Sequence, residues 1–270
     1  MTIEKNKHHY VPQFWIKAFA DSNNQLHAWD GDNVRVVGAG NIMQTPWLYT
    51  VFDAKWAASD ILENSLSKVE GIAAPVFRAA NDSTYVLSND DREILCMFLG
   101  LQACRHPDIL GRGERRSREL AKTIADVHSY PTAGDFVGDL SSFGIGPIDA
   151  MAIYTGFMGV SPTDLQEQLD EILNLSPQDA RLPAQDALRA EDIIGREISK
   201  MTLELLEAPL GKSFVLGDTP MLQSDLSHGF ILPLSKSVAL QAKPASNSQS
   251  TVNRRAATTA EINAANKGHL

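Results

Sequence analysis

From Ser88 the chain reads Ser-Asn-Asp-Asp-Arg-Glu and then Ile-Leu-Cys-Met-Phe-Leu-Gly-Leu-Gln-Ala-Cys up to Cys104. Ser, Asn and Asp are N-capping residues, and acids in a first turn offset the positive end of the helix dipole. The helix predicted to follow is apolar nearly all round. Such a helix has to be covered on every side, so it predicts a core built around itself, with the rest of the chain supplying amphipathic faces. It stops at Arg105-His106-Pro107, because the residue before a proline is pushed out of the α region. The apolar run from Ile94 to Cys104 is about half the roughly 20 residues of a membrane helix and contains Gln102. Cys96 and Cys104 fall about 12 Å apart along a straight helix, beyond the roughly 7 Å that a disulfide allows. Buried, reduced thiols and a cytoplasmic setting are expected, since the N-terminal stretch also lacks an apolar leader.

The remaining pattern predicts an α+β fold, mainly helical, with a central helical core and a small antiparallel sheet formed by the N- and C-terminal strands. At 270 residues and 43% hydrophobic, the chain can bury that core as one domain spanning 1–270. Val11-Pro12 opens a short helix through Phe14, Trp15, Ile16 and Phe19. Leu26–Trp29 and Val34–Val37 flank Asp30-Gly31-Asp32-Asn33 as a hairpin. Leu62, Leu66, Val69, Ala73 and Val76 form one face of a helix that Pro75 should kink or weaken. A charged helix is expected over Arg115–His128, a loop or lid over Tyr130–Pro147, and a helix start at Ser161-Pro162-Thr163-Asp164. Another helix follows Pro183, with Ile194, Ile198, Met201 and Leu205 on one face. Short strands are expected at Ser213–Leu216, Phe230–Leu232 and Val238–Gln241, and a last helix over Thr258–Asn266.

Charge narrows the partners. The formal net charge of −9 argues against a surface that clamps nucleic acid throughout, since such binding runs on Lys and Arg neutralising phosphates. A local basic patch of Arg112, Arg115, Arg116 and Arg118 is the only route to nucleic acid. With Glu114 and Glu119 at helical ion-pair spacing, that run also reads as an exposed, self-neutralised face. No membrane partner is expected, and a protein partner remains open. Two look-alike motifs fall away. Val34 to Gly40 imitates a dinucleotide-binding turn, but Met43 occupies the third glycine position and Pro46 blocks the helix. Asp32 with Asp53-Ala54-Lys55 imitates a metal-nuclease arrangement that recurs by chance.

The string most suited to chemistry is Lys7-His8-His9-Tyr10-Val11-Pro12-Gln13-Phe14. In extended backbone His8 and Tyr10 share a face and His9 takes the other, so the two histidines do not easily chelate one ion. One of them serves as general acid/base or metal ligand, or else caps the next helix or is hydrogen-bonded into the core.

This opening, with Phe19, resembles a bacterial and fungal family known as domain of unknown function 4238. The resemblance continues through Thr45-Pro46, Tyr49-Thr50, Glu63, Val69-Glu70, Asp91-Arg92, Gln102 to Arg105 and Pro107. It returns at Gly217-Asp218-Thr219-Pro220, where the family has Ser-Asp-Asn-Pro, then at Ile231 to Ser235 and Glu261-Ile262-Asn263. The segment of about 112–196 lies outside it, and the chain ends at Leu270, where one more strand is expected. The family brings no established activity; it implies which residues belong together. In that set, His8 and His9 are the acid/base candidates. Asp218 is a histidine orienter or metal ligand, or else an Asx turn. Arg105, with Tyr10 and Gln13, is a substrate contact, or else a helix C-cap. Glu63 and Glu70, with Asp218, are the metal candidates, although two helical turns keep the glutamates roughly 10 Å apart. The cofactor is open, a divalent metal ion being the candidate. Two functions follow. One is a hydrolase acting on a phosphate-containing substrate such as a nucleotide or nucleic acid. The other is a non-catalytic protein-interaction or immunity-type protein, with an acidic surface and an internal His/Arg/Asp network. An open cleft favours the first; a closed, fully hydrogen-bonded network favours the second.

Overall fold

The computed structural model describes residues 7–52, 58–173, 191–221, 228–245 and 251–268. The fold is α+β and mainly helical, and it divides into two compact units, 1–107 with 187–270, and 108–186.

In the first unit the central helix is α3 (Asn89–Gln102). A capping box starts it: the Ser88 hydroxyl accepts the Asp91 N–H at 3.1 Å, and the Asp91 carboxylate accepts the Ser88 N–H at 2.8 Å. Leu95, Cys96, Phe98, Leu99 and Leu101 are all buried. One cover is α2 (Ile61–Ala80), which turns Leu66, Ala73, Val76 and Phe77 inward; Pro75 lies within this helix without ending it. Phe14 and Trp15 of α1 (Gln13–Lys17) interlock edge-on and tilted with Phe77 and Phe98, at centroid separations of 5.2–5.9 Å.

Short strands make up the N-terminal part. β1 (Lys7–His9) pairs antiparallel with β4 (Gln44–Pro46), setting His8 opposite Thr45 and His9 opposite Gln44. β2 (Gln25–Trp29) and β3 (Val34–Gly38) form the expected hairpin, and β5 (Val51–Phe52) pairs with β6 (Ala58–Ser59). The other strands are β7 (Thr202–Glu207), β8 (Phe230–Pro233), β9 (Val238–Lys243) and β10 (Asn253–Ala256). They form a separate sheet in the order β10-β7-β9-β8, antiparallel except for the β10–β7 pair.

The expected sheet shared by both ends of the chain is therefore corrected. Among the described residues, the N-terminal strands pair only with one another. The two ends meet through side chains instead, with the Trp15 indole N–H donating to the Pro233 carbonyl at 2.9 Å. Periodicity and a short turn identify a hairpin, but they do not say which distant strand joins which sheet. Ser213–Leu216 likewise forms no ladder: Phe214 N–H reaches the Lys236 carbonyl and Val215 N–H the Asn266 side chain. The helix carrying Ile194 and Ile198 ends at Ser199, so Leu205 lies on β7.

In the second unit α4 (Pro107–Ala125) begins earlier than its charges suggest. It is followed by α5 (Ala133–Ser142), α6 (Pro147–Met158) and α7 (Pro162–Leu173). α5 stands where a loop or lid was expected. Thr132 caps it by accepting the Asp135 N–H at 3.2 Å, and Phe136 and Leu140 fall one turn apart in a core with Val127, Ala150 and Leu165. The first unit is completed by α8 (Glu191–Ser199) against α3 and by α9 (Thr259–Gly268) against the C-terminal sheet. Among the described residues no helix is long and apolar enough to cross a membrane, and Cys96 and Cys104 are buried and form no disulfide. Burial pushes the Cys96 thiol up to about 11, which leaves it unreactive at neutral pH.

Candidate functional site

The β1–β4 ladder holds His8 inward and His9 to the other side. Met43 and Trp47, on either side of β4, adopt left-handed backbone with φ of 53° and 58°, a conformation that costs roughly 1–2 kcal/mol in a non-glycine residue. These bends serve the ladder: the Met43 carbonyl accepts the Tyr10 N–H, and the Trp47 carbonyl accepts the Thr50 N–H. The resulting turn delivers Tyr49. Its backbone N–H donates to His8 Nδ1 at 2.7 Å, and its ring stacks on His8 with centroids 5.6 Å apart and planes 6° apart. An accepting Nδ1 puts the proton of the neutral imidazole on Nε2. His8 is 0% exposed.

Arg105 follows the end of α3 and is 1% exposed. Its guanidinium donates from Nη1 to Glu70 Oε1 at 2.8 Å, from Nη2 to the His9 carbonyl at 2.8 Å, and from Nε to the Tyr49 hydroxyl at 3.3 Å. That hydroxyl donates in turn to the Arg105 carbonyl at 3.2 Å. Burial alone would lower the Arg105 pKa, but Tyr49 and Glu70 outweigh it and leave it raised. Burial raises the Tyr49 pKa against the pull of Arg105. The result is a charged guanidinium bound to a neutral phenol and a carboxylate.

His9 is half-buried, with Nδ1 3.4 Å from the Gln13 amide nitrogen. Burial holds its pKa below the usual value, with Arg105 and Lys17 acting in the same direction and the Gly40 carbonyl and Glu70 opposing. The Gln102 amide donates to the Tyr10 carbonyl at 2.8 Å, fixing the strand's exit to α3.

Asp218 goes elsewhere. It is exposed on its turn, and the Thr219 hydroxyl lies 3.3 Å from Asp218 Oδ1 and 3.1 Å from His106 Nε2. Tyr10 meets the His106 ring edge-on at 5.2 Å. The structure thus brings His8, His9, Glu70 and Arg105 together around Tyr49, and takes Asp218 to His106, next in sequence to Arg105. Tyr49, Thr219 and His106 were not among the expected site residues. The only signal for His106 was its place beside Pro107, where the helix had to stop. In chemical terms the first group holds a buried charge, while the second sets a hydroxyl between an imidazole and a carboxylate, a geometry suited to proton relay.

Glu63, two turns before Glu70 on α2, contributes negative charge near Tyr49. Among the described residues no three His, Cys, Asp or Glu side chains are grouped to hold a metal ion, and the Glu70 carboxylate is bound to Arg105. Arg118 is exposed on α4. The side chains of Arg112, Arg115 and Arg116 lie outside the described residues, as do Asp53 and Lys55. No curated protein and no solved structure matches the chain. One family model does, over residues 7–268 and therefore through the elements that carry both clusters, so the chain belongs to the family described as a protein of unknown function, DUF4238.

Proposed function

We propose that this chain is a non-catalytic protein-interaction module, in which the His8–Tyr49–Arg105–Glu70 network is internal framework. The observation that carries this reading is the sealing of Arg105. A phosphate ligand needs guanidinium N–H groups that it can reach and pair with, whereas this guanidinium is buried and bound at Nε, Nη1 and Nη2 by protein groups. The network resembles the closed arrangement that buried polar groups adopt when they specify a fold. The net charge of −9 directs the module towards a basic partner.

A second reading keeps the hydrolase and draws support from the Asp218–Thr219–His106 relay, which is half-open to solvent. There His106, rather than His8 or His9, is the acid/base group, and Asp218 acts on it through Thr219.

Thermal melts in the presence of Mg²⁺, inorganic phosphate and ATP separate the two. A ligand at a hundred times its Kd stabilises a fold by about 2.7 kcal/mol. The interaction reading predicts no shift in the wild-type melting temperature with any of the three. A rise in melting temperature that disappears in folded His106→Gln and Asp218→Asn variants would overturn it in favour of the hydrolase.

A further inference from the structure

The β2–β3 hairpin leaves an apolar face in solvent. Side chains alternate along a strand, and the register pairs Trp29 with Val34 and His27 with Val36, so these four share one face. Trp29 is 48%, Val34 64% and Val36 56% exposed, and His27 is exposed beside them. The opposite face carries Leu26, which is buried. An exposed tryptophan opposite one valine and diagonal to another is not what an isolated, self-sufficient hairpin needs.

The strand edge beside this face is open as well. Asp30 N–H donates to the Asn33 carbonyl and Ala39 N–H to the Asn24 carbonyl, so hydrogen-bonded pairs fall at positions 24, 26, 28 and 30. In an antiparallel pair the alternate residues point their backbone groups outward. His27 and Trp29 therefore present N–H and C=O groups along the outer edge of β2, where no further strand pairs among the described residues. Gln25 does not, because Asp21 takes both its N–H and its carbonyl. The open edge is thus short and ends at a carboxylate on each side. Asp21 closes the start of β2, and Asp30 follows its end, with Asp32 in the same turn. The Asp30 carboxylate accepts the N–H groups of Asn33 at 2.9 Å and Asp32 at 3.2 Å, which hold it ionised and in place.

We infer that the outer edge of β2 is a docking site for an extended, basic segment of a partner protein. The segment adds as a third strand. Its backbone pairs with His27 and Trp29, its apolar side chains lie over Trp29, Val34 and Val36, and its basic side chains meet Asp21 and Asp30. This is strand addition, in which backbone bonds give affinity and alternate side chains give specificity. A lysine or arginine over the Trp29 ring would add a cation–π contact. The inference rests on the interaction reading and names the class of partner.

The probe is a capped Lys-Val-Thr-Val-Thr-Val-Lys peptide, titrated onto the full chain and followed by NMR or fluorescence. Binding is expected to weaken about tenfold when both lysines become glutamate, and by a similar factor in Trp29→Ser. Asp21→Asn and Asp30→Asn keep the turn acceptors and remove the charge, so each should weaken binding and flatten its salt dependence. A peptide N-methylated on its valines should not bind. Equal binding to wild type and Trp29→Ser, unaltered binding of the N-methylated peptide, or no binding at all would each overturn the hairpin site. Self-association of the free protein that Trp29→Ser abolishes would overturn it too, giving this face to a second copy. The interaction reading is judged separately, by the phosphate and nucleotide melts.

Discussion

At the scale of single residues, Tyr49 does the most for its size. Its backbone orients His8, its ring stacks on that imidazole, and its hydroxyl both accepts from and donates to Arg105. Tyr49→Phe removes the partner that the Arg105 carbonyl and Nε have among the described residues. The expected loss is about 1–3 kcal/mol, the cost of an unsatisfied buried group, read from the urea midpoint; an unchanged midpoint would mean that water replaces the hydroxyl. His9 gives a second test, with a definite sign. Its folded pKa lies below 6.5, chiefly through burial, so below that pH the unfolded chain binds more protons than the folded one. Stability should therefore fall as pH drops through 6.5 towards the lowered folded value, then level off. His9→Gln should flatten that part of the curve; an equally steep fall in the variant would assign the dependence to another group. Little of this detail was legible beforehand. The histidine pair and Arg105 stand out in the sequence, but Tyr49 is an ordinary aromatic residue until a turn with two left-handed positions carries it under them.

Among the elements, α3 and its covers were the most legible, because local signals agree there. The cap, the first-turn acids and the apolar run all point to one buried helix, and the hairpin was clear for a similar reason. α5 was missed because Gly, Ser and Asp around it read as loop, while Thr132 as cap and Phe136–Leu140 as its buried face give a weaker signal. Strand partners beyond the hairpin were not legible, since they depend on contacts far apart in sequence. One packing contact makes a specific prediction. A Cβ at Gly195 on α8 would lie 3.1 Å from the Cys96 carbonyl oxygen and 3.3 Å from the Met97 Cα. Ala is favoured over Gly within a helix by up to about 1 kcal/mol, but overpacking costs roughly 1–3 kcal/mol. Both near atoms belong to the α3 backbone, so Gly195→Ala should destabilise. A higher melting temperature would mean that the two helices separate easily.

In the whole molecule the signature residues and the surface have separate tasks. His8, Arg105 and Glu70 hold the N-terminal ladder, α2 and the end of α3 together, and the β2–β3 hairpin carries the docking face. The proposed function makes Arg105 a framework residue. The direct measurement is a double-mutant cycle in urea on wild type, Arg105→Met, Glu70→Gln and the double variant. Among the described residues the tryptophans, Trp15, Trp29 and Trp47, lie in the first unit, so their fluorescence follows its unfolding. Breaking one partner of a buried pair costs about 3–5 kcal/mol, and residues in contact couple by about 0.5–3 kcal/mol. A loss of that size is expected for Arg105→Met, with the double variant losing less than the two single variants together. Catalytic residues behave in the opposite way, since replacing them commonly leaves a fold as stable or more so. An Arg105→Met variant as stable as wild type, with no coupling to Glu70, would contradict the account.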